Sequence, residues 1–251
     1  MKNIFMKYIK IIIVVSVLLL LLLLYLVFSR KNDTSFDDIM IDKVDDIEYL
    51  YMLVSDIPCE RGLYVNIPLN KKVKVSDIDR KVLLNYLFAF LDRNALLNDK
   101  TDKKIINFAE NELFYKRKSS LFNNNDLHLF RNINNFQYGD YVYSVKDNML
   151  IKNEKSCVNN EVYVTALLEN GVSDNYGYID VGIGKLVNDT IYDVVGNKLG
   201  DYDSESNMLG DILLNGPYYR YYYIKENGSY KLDSIELRDK RNTELNVEKQ
   251  Y

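Results

Sequence analysis

The chain has 251 residues, with 32 Lys and Arg against 36 Asp and Glu, one His, two Cys, three Pro, no Trp and 22 Tyr. A net charge of -4 excludes a nucleic-acid binder held by a basic face, and two Cys are too few for a disulfide scaffold or a zinc ribbon. At 47% apolar residues the chain can bury a core rather than stay disordered.

The first element is the run Ile11 to Phe28, interrupted only by Ser16 and Tyr25. Eighteen residues at a helical rise of about 1.5 Å span roughly 27 Å, close to the hydrocarbon thickness of a bilayer. The run is longer than the roughly 7–15 apolar residues of a signal peptide, and Val27-Phe28-Ser29 is a poor imitation of a small-residue cleavage site. An uncleaved anchor over 11–29 is expected, after a short cytoplasmic tail at 1–10. Lys2, Lys7 and Lys10 precede the span, whereas Arg30 and Lys31 follow it, diluted by Asp33, Asp37 and Asp38. That bias places the N-terminus inside and the rest of the chain outside the cell membrane. Abundant Lys, Asn, Ile and Tyr with scarce Pro and Trp are the mark of an AT-rich genome, which favours a bacterium. The three N-x-S/T sequons at Asn32, Asn188 and Asn227 are accordingly read as unglycosylated.

Residues 30–60 form a juxtamembrane linker and an amphipathic helix. From Phe36 to Val54 the apolar residues Ile39, Ile41, Val44, Ile47, Leu50, Tyr51 and Val54 recur mostly every three or four positions, until Pro58 ends the pattern. An α+β domain is expected over 61–238. Leu63 to Ile67 and Lys71 to Val75 read as short extended pieces. The strongest helix starts at Ser76, with Ser76 and Asp79 as a capping pair and Val82, Leu83, Tyr86, Leu87, Phe90 and Leu91 on one buried face. A second helix from Thr101 brings Ile105, Ile106, Ala109 and Leu113 to the same core, forming a helical hairpin. Lys116, Arg117 and Lys118 follow it, where cations complement a helix C-terminus.

Past Asn123 to Asn125 the period becomes two. Tyr141, Tyr143 and Val145 alternate, then Val162, Val164, Ala166 and Leu168, then Ile179, Val181 and Ile183. Alternation signals half-buried antiparallel strands, with one face of the sheet on the helices and the other wet. A hairpin spans Tyr218 to Leu237 around a three-residue loop, Glu226-Asn227-Gly228, which pairs Ile224 with Tyr230 and Tyr222 with Leu232. A polar tail, 239–251, closes the chain.

The aromatic strand, the glycine turn and then Tyr230-Lys231-Leu232-Asp233-Ser234-Ile235 resemble the closing hairpin of NTF2-like and cystatin-like modules. The resemblance covers the hairpin closely and the helices-first, sheet-last order more loosely, and the Asn-rich stretch between them departs from it. It implies a curved antiparallel sheet wrapped on helices, in a binding or assembly scaffold or sometimes a small enzyme. Bitopic assembly factors of bacterial type IV secretion systems place such a domain after one span. The likeness is of fold alone and transfers no site residue.

Candidate chemistry is sparse. His128 stands alone, so a histidine metal site is absent, and nothing in the spacing supports a Cys59/His128 nucleophilic pair. Cys59 and Cys157 can be bridged outside the membrane or stand as independent small apolar side chains. Asp201-Tyr202-Asp203-Ser204-Glu205-Ser206-Asn207 begins like a calcium loop but lacks its glycine and terminal glutamate. Gly182-Ile183-Gly184-Lys185 is no phosphate loop and reads as a bend or bulge in a strand. Of the tyrosine cluster, Tyr219, Tyr221 and Tyr223 point one way and Tyr218 and Tyr222 the other. The first set is the candidate binding surface, against the alternative of plain aromatic core.

The sequence thus describes a single-pass protein with a helical hairpin on a curved antiparallel sheet outside the membrane. It would bind rather than catalyse and calls for no cofactor or metal. Its partners are the bilayer, through the span, and an envelope protein or a second copy of itself. The alternative is a cell-envelope hydrolase that uses a carboxylate pair hidden among 36 acidic residues.

Overall fold

The structure, a computed structural model, describes residues 46–55, 66–115, 127–156, 162–203 and 209–239. The chain divides into two compact units, Met1–Asp42 and Lys43–Tyr251, and every described residue belongs to the second. The Ile11–Phe28 run, Cys59, Cys157, Lys116 to Lys118 and residues 240–251 of the C-terminal tail lie outside the described residues. Among those described, no helix is long and apolar enough to cross a membrane.

The second unit is an α+β fold with antiparallel sheets. Helix α1 is Ile47–Ser55, and strand β1, Lys71–Lys74, leads through a 3-10 turn, Val75–Asp77, into helix α2, Arg80–Arg93. Asp79 is the residue that caps α2, its side chain accepting the Lys81 N–H at 2.7 Å. Ser76 falls in the 3-10 turn instead and bonds Asp77, so the helix begins later than the S-x-x-D spacing suggests.

Leu83 to Leu91 are all buried, so between its exposed ends α2 has no wet face. A helix apolar on one stripe needs one partner, whereas one apolar all round must be enclosed. Helices α1, α3 (Lys103–Leu113) and α4 (Leu129–Asn132) pack against it, and two sheets close round its aromatic side chains. Tyr86 donates to the Tyr223 hydroxyl at 3.5 Å and its ring lies 5.8 Å from Phe114, on the side of the large sheet. Phe88 faces the other way, with its ring 4.9 Å from Phe136, 5.6 Å from Tyr138 and 4.8 Å from Tyr143. Phe90 meets Tyr49 of α1 edge-on at 6.4 Å. The aromatic residues Phe136, Tyr138 and Tyr143 belong to a four-stranded sheet, β2 (Lys100–Asp102), β3 (Phe136–Tyr138), β4 (Tyr141–Lys146) and β5 (Met149–Glu154), in the order β2-β5-β4-β3. The expected single sheet is therefore two.

Helix α3, Lys103–Leu113, is capped by Asp102, whose side chain accepts the Lys104 N–H at 2.7 Å. It buries Ile106, Ala109 and Leu113, as the spacing requires, while Thr101 belongs to β2. Helix α4, Leu129–Asn132, is a single turn.

The large sheet is built on β7, Tyr176–Val187. One edge of β7 pairs with β6, Val162–Val172. The other pairs with β10, Tyr218–Glu226, and near its end with β8, Thr190–Tyr192, which carries β9, Lys198–Asp201. Strand β11, Ser229–Arg238, follows β10, and β1 closes that side, with Lys71 opposite Leu237. Two-residue turns connect β4 to β5, β7 to β8 and β10 to β11. Each has positive φ at both centres: Asp147 and Asn148, Asn188 and Asp189, Asn227 and Gly228. Asn, Asp and Gly tolerate that conformation, and such turns match the twist of hairpin strands. The last hairpin is therefore tighter than expected. Its loop is Asn227-Gly228, and Lys225 faces Tyr230 while Tyr223 faces Leu232, one position away from the three-residue reading.

Nor is the outer face of the sheet wet throughout. Ile179, Val181 and Ile183 are buried inward, yet Asp180, Gly182 and Gly184 are buried too. Helix α5, Leu209–Leu214, lies on the outer side of β7. A Cβ on Gly182 would come within 2.7 Å of the Leu213 Cβ, and one on Gly184 within 2.8 Å of Leu213 Cδ2 and 2.4 Å of Ile191 Cγ2. These glycines seat α5 rather than bend the strand, and the irregularity lies opposite, between Leu167 and Glu169 of β6. Gly182→Ala should destabilise the protein by about 1–3 kcal/mol through overpacking. Gly210→Ala, where a Cβ meets nothing within 4 Å, should be neutral or stabilise by up to about 1 kcal/mol. Urea denaturation of the two variants checks both.

Candidate functional site

Alternation along β10 splits its tyrosines as a strand must. Tyr219, Tyr221 and Tyr223 are 1%, 0% and 1% exposed, facing α2. Their side chains are packed in the core rather than presented as an open surface, although Tyr223 also borders the groove described below. The opposite set, Tyr218, Arg220, Tyr222 and Ile224, looks out from the sheet.

Cross-strand neighbours organise that outer face. Arg220 grips the buried Asp180 of β7 with two hydrogen bonds, Nε to Oδ1 and the terminal nitrogen to Oδ2, both 2.6 Å. Its guanidinium lies 4.1 Å from the Tyr178 ring centre. Tyr178 donates to Glu169 at 2.9 Å and covers Gly171, where a Cβ would sit 2.4 Å from the ring. Tyr222 donates to Glu236 at 2.5 Å, and the Arg238 guanidinium approaches the same carboxylate at 3.8 Å. From β1, the Lys72 ammonium stands 3.3 Å above the Tyr222 ring centre. The register of β11 slips between Tyr222 and Tyr223, leaving Asp233 as the extra residue. That bulge re-aims Asp233 toward Lys74, 2.6 Å away, and Ser234 donates to the same carboxylate at 2.8 Å.

Over this lattice lies an open groove of about 550 Å³, within the range of ligand clefts. Lys72 and Lys74 mark one end, Tyr178, Tyr222 and Ile224 line the middle, and Val172 and Tyr176 mark the other end. Burial holds the Lys72 amine below its ordinary range, although Asp233 and Glu236 pull the other way. Burial, then the Glu236 hydrogen bond, pushes the Tyr222 hydroxyl up to about 12.

The other candidate residues have structural employment. His128 adopts a left-handed φ of 52° before α4, and buried Glu110 accepts the N–H of His128 at 3.2 Å and of Leu129 at 2.9 Å. Asp201 accepts from Thr190 at 3.3 Å and from Lys198 at 2.7 Å across β8 and β9, and positions 204–208 of the calcium-like stretch lie outside the described residues. Among the described residues no three His, Cys, Asp or Glu are grouped to hold a metal ion. Sequence reasoning missed the groove, although the Lys72-Val73-Lys74 alternation and the lone Asp180 between Ile179 and Val181 were signals for outward side chains. Compared with known proteins, the chain matches no family model, no curated protein and no solved structure.

Asp180→Ala should cost about 3–5 kcal/mol, because it strands the Arg220 guanidinium without its carboxylate. The paired change Asp180→Leu with Arg220→Met should recover much of that loss, as a double-mutant cycle in urea would measure. Alkaline pH acts on the tyrosines. Burial raises Tyr222 and Tyr143 to about 12 and lifts Tyr221 and Tyr223 well above the usual 10.0. The fold favours their neutral phenols, so that stabilisation is intact below pH 10 and is lost as pH rises through about 12. Tyrosinate absorbance during an alkaline titration should lag behind the unfolded chain until the protein unfolds.

Proposed function

We propose that this is a single-pass protein anchored in a bacterial cell membrane by Ile11 to Phe28, whose folded unit lies outside the cell and works as a binding or assembly module of the envelope. The apolar run and its preceding lysines support the anchor and its orientation. The observation that carries the binding reading is the outer face of the large sheet. Its carboxylates are tied into the lattice, Asp180 to Arg220, Glu236 to Tyr222, Glu169 to Tyr178 and Asp233 to Lys74, while an open groove with tyrosine and aliphatic walls remains above them. Carboxylates so engaged serve shape better than acid–base chemistry, which needs one of them poised toward a reacting proton. Helices followed by the antiparallel run β6-β7-β10-β11 support the likeness to NTF2-like modules, and the four-stranded sheet is an addition to that pattern.

Topology decides the rest. With a C-terminal tag on the full chain, a membrane-impermeant protease added to intact cells, or to spheroplasts where an outer barrier exists, should remove the tag while a cytosolic control survives. Protection of the tag until lysis would overturn the orientation and move the search to cytosolic partners. Binding itself is tested by cross-linking in intact membranes and co-purification. Recovery of an envelope protein or a second copy is expected, and a hydrolase activity in the purified full-length protein, abolished at a single carboxylate, would favour catalysis.

A further inference from the structure

The geometry points to an extended acidic and apolar peptide segment of a partner protein as the occupant of the groove, with one Asp or Glu carboxylate on Lys72 and an apolar side chain against Val172 and Tyr176. This rests on the binding reading above and adds to it the chemistry of the partner.

The groove is polarised. At the β1 end Lys74 is neutralised by Asp233 at 2.6 Å, whereas the Lys72 ammonium stands over the Tyr222 ring and, among the described residues, has no carboxylate within ion-pair distance. Its ring contact supplies attraction but no hydrogen-bond acceptor with a full charge. Its lowered proton affinity has burial as the largest cause, which is the state an incoming carboxylate would relieve. At the far end Val172 and Tyr176 are 58% and 63% exposed and lie together beside the half-buried Ile224 as apolar surface. The two ends are four strand spacings apart, roughly 19 Å, a distance that about six residues of extended peptide cover. The groove is open along its length, which suits a chain laid across the strands better than a compact solute.

Charge also selects the source of the anion. Five of the chain's cations, Lys2, Lys7, Lys10, Arg30 and Lys31, precede Asn32, so the rest of the chain is more acidic than the net charge of -4 indicates. An anionic bilayer surface meets that whole negative field, whereas a single carboxylate meets only the local lysine end. A peptide with one acid and an apolar residue four or five positions away fits both ends.

A displayed library of random hexapeptides, selected on the full chain in nanodiscs of neutral lipid, tests this. Enriched peptides should carry Asp or Glu at one end and a large apolar residue at the other. A representative synthetic peptide should lose at least about tenfold in affinity with Lys72→Gln, keep it with Lys72→Arg, and weaken with Tyr176→Ala. Thermal unfolding of each variant separates a lost contact from a lost fold. No enrichment, enrichment without acid, or equal binding to Lys72→Gln overturns the inference. So does anionic-vesicle binding that depends on Lys72 while no peptide is selected. These outcomes leave the anchored-module reading intact, since that reading falls on topology and co-purification instead.

Discussion

The enclosure of α2 governs this structure. Its nine consecutive buried residues, Leu83 to Leu91, cannot be satisfied by any single neighbour, so the chain supplies several: the helices α1, α3 and α4 and the aromatic side chains of both sheets. Within little more than one turn the helix sends three aromatic side chains to different partners, Tyr86, Phe88 and Phe90 in succession. Burying each such side chain is worth about 1.5–3 kcal/mol, and none of it is realised until its particular partner is in place. The small sheet, which contributes nothing to the outer groove, exists in this view to cover Phe88.

With its inner side committed to the helices α1, α2 and α3, the large sheet can vary only on its outer side, and there β7 carries two different solutions. Toward one end Gly182 and Gly184 surrender their side chains so that α5 rests on bare backbone. At Asp180, between them and Tyr178, the strand instead buries a charge and neutralises it with the Arg220 fork. Beyond that point the surface opens, and cations lie over aromatic rings in succession, Arg220 on Tyr178 and Lys72 on Tyr222. The groove is the part of this face that no helix covers, and its shape depends on the bulge that turns Asp233 toward Lys74.

Much of this was legible in order and type. The α2 and α3 helices, the alternating strands around Tyr143 and Ile179, and the α+β class follow from periodicity and caps. The errors have physical causes. A helix apolar on all sides still contains an apolar stripe, so the periodicity at Leu83, Tyr86 and Leu87 concealed Leu84, Phe88 and Ala89 on the far side. Asn227 accepts a left-handed φ of 55°, which lets two residues make a turn that glycine preference alone read as three, and the register moved with it. One face of the β10 tyrosines had to be core, but only the position of α2 says which. Asp180 and Arg220 meet across a register, and no local pattern encodes a register between strands so far apart in sequence.

The first described strand pairs with the last: Lys71 lies opposite Leu237 and Lys74 opposite Ser234. An edge that joins the first and last described strands is a statement about time as well as space. Synthesis delivers α3 well before the strand bearing Leu232, and until that strand emerges the end of α3 lacks the Phe114–Leu232 bridge and the hydrogen bond from the Tyr115 N–H to the Leu232 carbonyl. Local hairpins can form as they appear, yet closure waits on a contact of high sequence separation, which is slow and leaves apolar surface exposed meanwhile. A chain stalled or clipped before β11 would therefore lose more than one strand; β1 and the edge of β10 would have no partner and the end of α3 would lie bare, the kind of surface that chaperones and proteases recognise.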